Sequence, residues 1–157
     1  MNKKIKELKK KFEIAYSGGP WYGDSMKDIL NEINPAIVFE KVNGKSHSIA
    51  ELTAHIIGWR EFTLSRLEGN NNFKINQKET FNWKRIDEGE KTAWKNILKE
   101  LDKNQKKIIS TLNRLDDDFL NNKVAGRRYR AEFMLEGTIQ HDIYHLGQIV
   151  VLKKLLS

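Results

Sequence analysis

Residues 130–156 read RAEFMLEGTIQHDIYHLGQIVVLKKLL, and this stretch decides the fold. Apolar residues recur in it every three or four positions and it contains no proline, so it predicts one long α-helix. His141 and His145 stand four residues apart, which places both imidazoles on one face of that helix. The same face carries Met134 and Leu152, so we expect the two histidines to turn toward the protein interior.

The sequence before this stretch predicts three further long helices. Apolar residues recur at helical spacing in the lysine-rich opening, up to Gly18-Gly19-Pro20, where the first helix should stop. Ser48 and Glu51 form a capping box, which begins a second long helix that ends near Gly69. The spacing of apolar residues from Asp87 to Leu115 predicts the third.

Four long helices predict an all-α protein, a four-helix bundle built as a single domain over residues 1–157. No segment alternates apolar and polar residues over six or more positions, so we predict no β-strand. Residues 70–86 form a connection longer than ordinary helix connections. We expect this crossover loop to span the bundle, so that two successive long helices can lie in parallel.

The composition narrows the classes of function. There is no cysteine, which excludes disulfides, cysteine-based zinc sites and a thiol nucleophile from the protein itself. No apolar run approaches the roughly 20 residues of a membrane span, and no apolar run follows the charged N-terminus, so we expect a cytoplasmic protein. The net charge is +7, but 21 acidic residues are interspersed along the chain, and we therefore do not expect nucleic acid as a partner.

Histidine is the one remaining soft metal ligand, and the chain has four of them. His55 lies on the inward stripe of the second long helix, so three imidazoles, those of His55, His141 and His145, should converge on one partly buried space. Three imidazole nitrogens suit a divalent transition metal, and zinc and nickel both fit. The alternative is that these are core histidines whose ring nitrogens are satisfied by neighbouring carbonyls or hydroxyls. His47 precedes the helix cap and is interpreted as a surface turn residue.

Candidates for a supporting or catalytic role are few. Glu51 lies one turn before His55 and could orient an imidazole or accept a proton, or it could only complete the capping box. Gln148 lies one turn after His145 and could donate a hydrogen bond to a ligand. Asp142 projects about 100° away from the preceding histidine, so we expect it to be a structural partner.

For two groups of larger side chains, the sequence leaves open whether their role is in binding or in structure. Trp21, Tyr22 and Trp59 could wall a pocket or could be ordinary core residues. The arginines of residues 127–130 could attract an anionic cosubstrate, or they could be a solvated turn.

Three sequence motifs resemble those of the DinB-like family. They are GPWYGDS at residues 19–25, SHSIAELTAHIIGW at residues 46–59 and QHDIYHLGQI at residues 140–149. The last is the most specific of the three. The resemblance covers essentially the whole chain and includes the order and spacing of the elements.

The resemblance implies a four-helix bundle of up-down-down-up connectivity and a zinc or nickel ion bound by His55, His141 and His145. It also implies an enzyme of one of three kinds: a thiol S-transferase that uses bacillithiol or a similar small thiol, a mycothiol-dependent isomerase, or a metal-dependent hydrolase. Homodimers are common in the family.

From the residues and the resemblance together we predict a metal-dependent enzyme that transfers a low-molecular-weight thiol supplied from outside the chain. Metal-dependent hydrolysis is the alternative reaction, since both reactions would use the same three ligands. A second class of function stays open: a non-catalytic dimeric helical module whose metal is structural or absent.

Overall fold

The computed structural model describes residues 2–73, 75 and 92–157. Its α-helices are α1 (Lys3–Ser17), α2 (Met26–Asn31), α3 (Ile49–Leu67), α4 (Ala93–Leu112) and α5 (Ala131–Leu156). Short 3₁₀ helices cover Pro35–Ile37, Val42–Gly44 and Asp118–Asn121. Within the described ranges no β-strand forms, and the predicted all-α class is confirmed.

The helix that carries His55 begins where the capping box predicts. The Ser48 side chain accepts a hydrogen bond from the Glu51 backbone N–H, and the Glu51 carboxylate accepts one from the Ser48 backbone N–H. Two backbone donors that the helix itself cannot satisfy are thereby paired, which fixes the first turn of α3.

The third long helix is shorter at its C-terminal end than predicted. It ends at Leu112 instead of Leu115, because the next backbone N–H groups bond three residues back, from Arg114 to Thr111 and from Leu115 to Leu112. Its predicted start at Asp87, and most of the predicted crossover loop over residues 70–86, lie outside the described residues.

Two apolar clusters give the relative directions of the helices. In one cluster the first half of α3, with Ile49 and Ile56, packs with the first half of α4, with Trp94 and Leu101. In the other, the second half of α3 packs with the second half of α4, so these two helices run in the same direction. Helix α5 runs opposite to α3.

A carboxylate that follows α4 in the sequence caps the N-terminus of α1. The Asp117 carboxylate accepts hydrogen bonds from the backbone N–H groups of Lys3, Lys4 and Ile5. These are donors that a helix leaves unpaired at its N-terminus. Asp117 therefore caps α1, whose own N-cap residue makes no side-chain hydrogen bond.

None of the helices in the described part of the chain is long and apolar enough to cross a membrane.

Candidate metal centre

The three histidines named by the sequence meet between α3 and α5. Nε2 of His141 lies 3.1 Å from Nε2 of His55 and 3.1 Å from Nε2 of His145. Among the described residues these three side chains form the one group able to offer three ligand atoms to a common metal ion. Because α3 and α5 are antiparallel neighbours, one histidine from the first faces two from the second across a single helix interface.

Two of the three imidazoles are deeply buried. His55 and His145 are 6% and 8% exposed, whereas the His141 side chain is 24% exposed and forms the open side of the cluster. Burial, with smaller contributions from His141 and His55, lowers the pKa of His145 to about 4, although its hydrogen bond with Gln148 acts in the opposite direction. A neutral imidazole is the form that binds a metal ion.

Gln148 fixes the tautomer of His145. Its side-chain oxygen lies 2.6 Å from Nδ1 of His145 and accepts the proton of that nitrogen. Nε2 of His145 is left with a lone pair directed at the other two rings. From the sequence, Gln148 was a candidate to donate a hydrogen bond to a ligand; in the structure it contacts His145, and its oxygen accepts the hydrogen bond.

The cluster cannot satisfy itself by hydrogen bonding. A ring nitrogen carries either one proton or one lone pair, so Nε2 of His141 can make a hydrogen bond with one of its two neighbours and not with both. Nδ1 of His141 is also buried without a hydrogen-bond partner among the described residues. A cation bound by the three Nε2 lone pairs would satisfy the nitrogens that face one another. It would leave Nδ1 of His141 protonated, 3.9 Å from Oδ1 of Asp142.

The distances between the nitrogens also suit a metal ion. Ligand bonds of about 2.0–2.1 Å place neighbouring nitrogens about 2.9 Å apart at a right angle and about 3.4 Å apart at a tetrahedral angle. The two distances of 3.1 Å lie between these limits. Donor type, protonation and spacing therefore all fit a divalent transition metal.

A second polar cluster lies directly beside the histidines. Nε of Arg60 donates to the Asp142 carboxylate at 2.8 Å, and both side chains are 1% exposed. Nη1 of Arg60 donates to the Gln105 side chain at 2.8 Å, and Gln105 in turn donates to the Phe12 carbonyl. Asp142 is thus a structural partner, as its direction on the helix predicted, and the cluster ties α5, α3, α4 and α1 together.

Sequence reasoning missed Arg60 and Gln105. A signal for Arg60 was present, because it follows Leu52 and Ile56 at four-residue spacing and so continues a buried stripe of α3. Gln105 gave no such signal, since a single glutamine on an amphipathic helix is unremarkable until its neighbours are known.

The aromatic candidates separate into two groups. The Trp59 ring lies 5.6 Å from the His141 ring and 6.5 Å from the His55 ring, so it borders the site. Trp21 is fully exposed, because the turn after Pro20 holds it in solvent, and Tyr22 is 43% exposed and lines a different depression. Trp59 is thus the one of the three with a ring contact to the histidines among the described residues.

The remaining candidates keep structural contacts. Glu51 completes the capping box and accepts a hydrogen bond from Lys41 at 2.7 Å. His47 is exposed, with Nδ1 3.5 Å from the Glu51 carboxylate, which agrees with its interpretation as a surface turn residue.

A helical bundle with a buried three-histidine cluster between antiparallel helices defines the class of protein. The sequence profile of the DinB superfamily matches residues 23–149. The chain therefore belongs to the DinB superfamily.

A solved protein structure shares the fold of this chain. The chain is similar to the colibactin self-resistance protein ClbS, whose crystal structure was determined in complex with a dsDNA, at 22% identity and a TM-score of 0.70. The similarity covers 98% of this chain and 97% of that one, and it shows a shared fold. No curated protein sequence matches the chain significantly.

The expectation that nucleic acid is not a partner is wrong. A protein of this fold has been captured with dsDNA, so the fold does not argue against such a partner. The reasoning from interspersed charges failed because residues that alternate in sign along a helix can be sorted onto different faces in three dimensions. Four lysines of α4 illustrate this: they follow one another at four-residue spacing on its exposed side (Lys95, Lys99, Lys103 and Lys107).

Proposed function

We propose that this DinB-superfamily protein is a metal-dependent enzyme in which His55, His141 and His145 hold one zinc or nickel ion. The convergence of three Nε2 atoms, two of them 3.1 Å from the third, supports the proposal most directly. A divalent ion held by three neutral imidazoles keeps its full charge, and as a Lewis acid it lowers the pKa of a bound thiol or water.

The chain's own residues have three tasks in this proposal. Gln148 holds His145 in the tautomer that presents Nε2, and burial keeps that ring unprotonated at neutral pH. His141, the most exposed of the three, lies on the side from which a substrate can approach. Trp59 covers the adjoining side and keeps water from part of the site.

Transfer of a low-molecular-weight thiol is the reaction we place first, with hydrolysis as the alternative. The chain has no cysteine, so a thiol nucleophile must come from a cosubstrate. In such a transfer the sulfur forms a bond to an electrophilic carbon, the leaving group departs with its electron pair, and the thiol proton passes to solvent. In hydrolysis water replaces the thiol.

Metal content tests the site. Untagged protein should contain, or take up, about one equivalent of zinc or nickel by elemental analysis, and His141→Ala/His145→Ala should retain almost none. His47→Ala is the matched control, because it removes an exposed histidine outside the cluster and should leave the metal content unchanged. Absence of metal from the parent, even after incubation with both salts, would reduce the three histidines to core residues.

The reaction is tested separately on loaded protein. Bacillithiol with 1-chloro-2,4-dinitrobenzene reports thiol transfer, and a p-nitrophenyl ester reports hydrolysis. Acceleration of one reaction that disappears in His141→Ala/His145→Ala selects between the two. One tightly held equivalent of metal with neither reaction would favour the non-catalytic module with a structural metal.

A second candidate function is binding to double-stranded DNA. It is favoured by the DNA complex of the structurally similar ClbS protein and by the lysine stripe of α4, which we define as Lys95, Lys99, Lys103 and Lys107. All four side chains are exposed and none makes an ion pair within the described residues, whereas neighbouring Lys106 pairs with Asp102 at 2.6 Å. The stripe extends for about 18 Å along the helix and could follow a phosphate backbone.

DNA binding is tested by the salt dependence of affinity for a random-sequence duplex. Replacing the lysine stripe with glutamine should weaken binding and reduce the salt slope by up to about 3.6, that is, about 0.9 for each lost phosphate contact. The control replaces four lysines that already pair with carboxylates and so lowers the net charge by the same amount (Lys4, Lys11, Lys41 and Lys153). Equal weakening of both variants, or no binding near physiological salt, would remove the stripe as a DNA site.

A further inference from the structure

An apolar cavity of about 180 Å³ opens beside His141, between the second half of α3 and the first half of α5. Trp59 and Phe62 line it from α3, and Phe133 and Gly137 line it from α5. The Trp59 and Phe62 rings meet edge to face at 5.8 Å. Phe133 is 67% exposed and forms the outer lip of the cavity.

The two threonine hydroxyls on the cavity wall have no proton to offer a ligand. Thr138 donates to the Met134 carbonyl at 2.8 Å, so in its 2.8 Å contact with Thr63 the Thr63 hydroxyl must be the donor. The wall is therefore mainly apolar, and its remaining polar groups include the Tyr129 hydroxyl and the His141 ring. Such a cavity selects a group that needs no hydrogen bonds.

The volume of the cavity matches one ring. An engineered apolar cavity of about 150 Å³ accommodates benzene, and the cavity here is slightly larger.

An arginine side chain lies next to one wall of the cavity. The Arg127 guanidinium carbon lies 5.1 Å from the centre of the Phe62 ring, and this guanidinium has no hydrogen bond or ion pair among the described residues. Arg66 lies on the same ring at 4.6 Å, but its guanidinium donates to the carbonyls of Asn70 and Phe73. Of the two arginines, Arg127 is thus the one left to meet an anion.

We infer that this cavity receives a single aromatic ring of a small anionic substrate, whose negative group is met by Arg127 and whose ring lies against His141. That the ring sits at a reacting centre rests on the proposed metal-dependent function; that the cavity binds an aryl anion does not. The expected ligand is a small acid that carries one aryl ring. This description fits either the thiol or the electrophile of the proposed thiol transfer.

Binding of phenylacetate to metal-free protein tests the inference, with benzyl alcohol as the neutral probe of similar size. Both are titrated by NMR. The variant Gly137→Leu places a side chain in the cavity, and its Cβ meets no atom within 4 Å. We expect the dissociation constants of both probes to rise at least tenfold.

Gly147→Leu is the matched control. It lies on the same helix, its Cβ also meets no atom within 4 Å, and it faces a different depression. Replacing a helical glycine by leucine favours the helix in both variants, so we expect neither change to unfold the protein. Equal binding to wild type and Gly137→Leu, or binding lost in Gly147→Leu instead, overturns the assignment of the cavity.

Arg127→Gln separates the charge from the cavity. It should weaken phenylacetate about threefold, the size expected for an exposed ion contact, and leave benzyl alcohol unchanged. Arg128→Gln, which removes a neighbouring exposed charge, should affect neither. Equal weakening of both probes by Arg127→Gln overturns the role of Arg127, and no binding of either probe to wild type overturns the inference as a whole.

These results are distinguishable from failure of the proposed function. The titrations use metal-free protein, so probe binding with no metal uptake would retain the cavity and remove the metal-dependent enzyme. Metal uptake with no probe binding would retain the metal-dependent enzyme and remove the cavity as a binding site.

Discussion

Two polar clusters lie side by side between α3 and α5, and they differ in the chemistry of the groups that they bring together. In the Arg60 cluster a cation meets a carboxylate and an amide, and both charged side chains are 1% exposed. In the histidine cluster three like nitrogens face each other and one ring is 24% exposed. The first arrangement pairs its two charges within the protein, although Oδ1 of Asp142 is buried without a hydrogen-bond partner among the described residues. The second brings together lone pairs that a bound cation would share. This difference separates a structural cluster from a binding site more clearly than burial does.

The largest effect should come from breaking the Arg60 cluster. Asp142→Ala leaves a buried guanidinium without its counter-charge, so the free energy of unfolding should fall by about 3–5 kcal/mol. Urea denaturation of the metal-free protein measures it. The double variant Arg60→Met/Asp142→Leu should recover most of the loss, because no buried charge then remains. A loss under about 1 kcal/mol in Asp142→Ala would mean that water reaches the cluster, and the comparison would fail.

Metal binding to the histidine cluster should raise the free energy of unfolding, whereas removal of a histidine should change it little when no metal is present. Zinc at a hundredfold excess over its dissociation constant should raise the free energy of unfolding by about 2.7 kcal/mol. His55→Ala should lose this gain while His47→Ala keeps it. The measurement is urea denaturation with zinc and with a chelator. A gain of the same size in His55→Ala would place the metal elsewhere.

A smaller effect is expected from the residue that fixes His145. Gln148→Ala removes the acceptor for Nδ1 and should weaken metal affinity about tenfold, as measured by competition with a chromogenic chelator. Gln140→Ala, on the exposed side of the same helix, should not change affinity. If both variants bind metal as wild type does, the tautomer is fixed by something other than Gln148.

The smallest effect concerns Glu51, which lies one turn from His55 but belongs to the fold. Burial raises the pKa of Glu51, but hydrogen bonds from Lys41 and the Ser48 backbone outweigh it and hold the pKa below its usual value. Its contribution to stability is therefore present above the unfolded pKa of about 4.3 and is lost as pH falls through the folded pKa.

Glu51→Gln should cost about 0.5–1 kcal/mol at pH 7, and the difference from wild type should shrink in acid. Urea midpoints between pH 7 and pH 3 measure it. Metal affinity should stay unchanged. A variant that keeps its stability but loses metal or catalysis would instead give Glu51 the catalytic role that the sequence left open.

The sequence by itself determined the all-α class, the capping box that begins α3, and the shared face of His141 and His145. These follow from local rules: helical periodicity and capping depend on residues three and four positions apart, and a face shared by His141 and His145 is fixed by their spacing. The Asp142 direction was predictable for the same reason.

Only the tertiary structure decided which partners lie across helix interfaces. Asp117 caps a helix more than a hundred positions away, and Arg60 binds Asp142 and Gln105. Arg127 lies beside an aromatic cavity and has no carboxylate partner in the described part of the chain. The lysine stripe of α4 likewise emerged only when the helix was placed with that side exposed. Such pairings depend on how separate helices are rotated against one another, and no spacing within a single helix encodes that rotation.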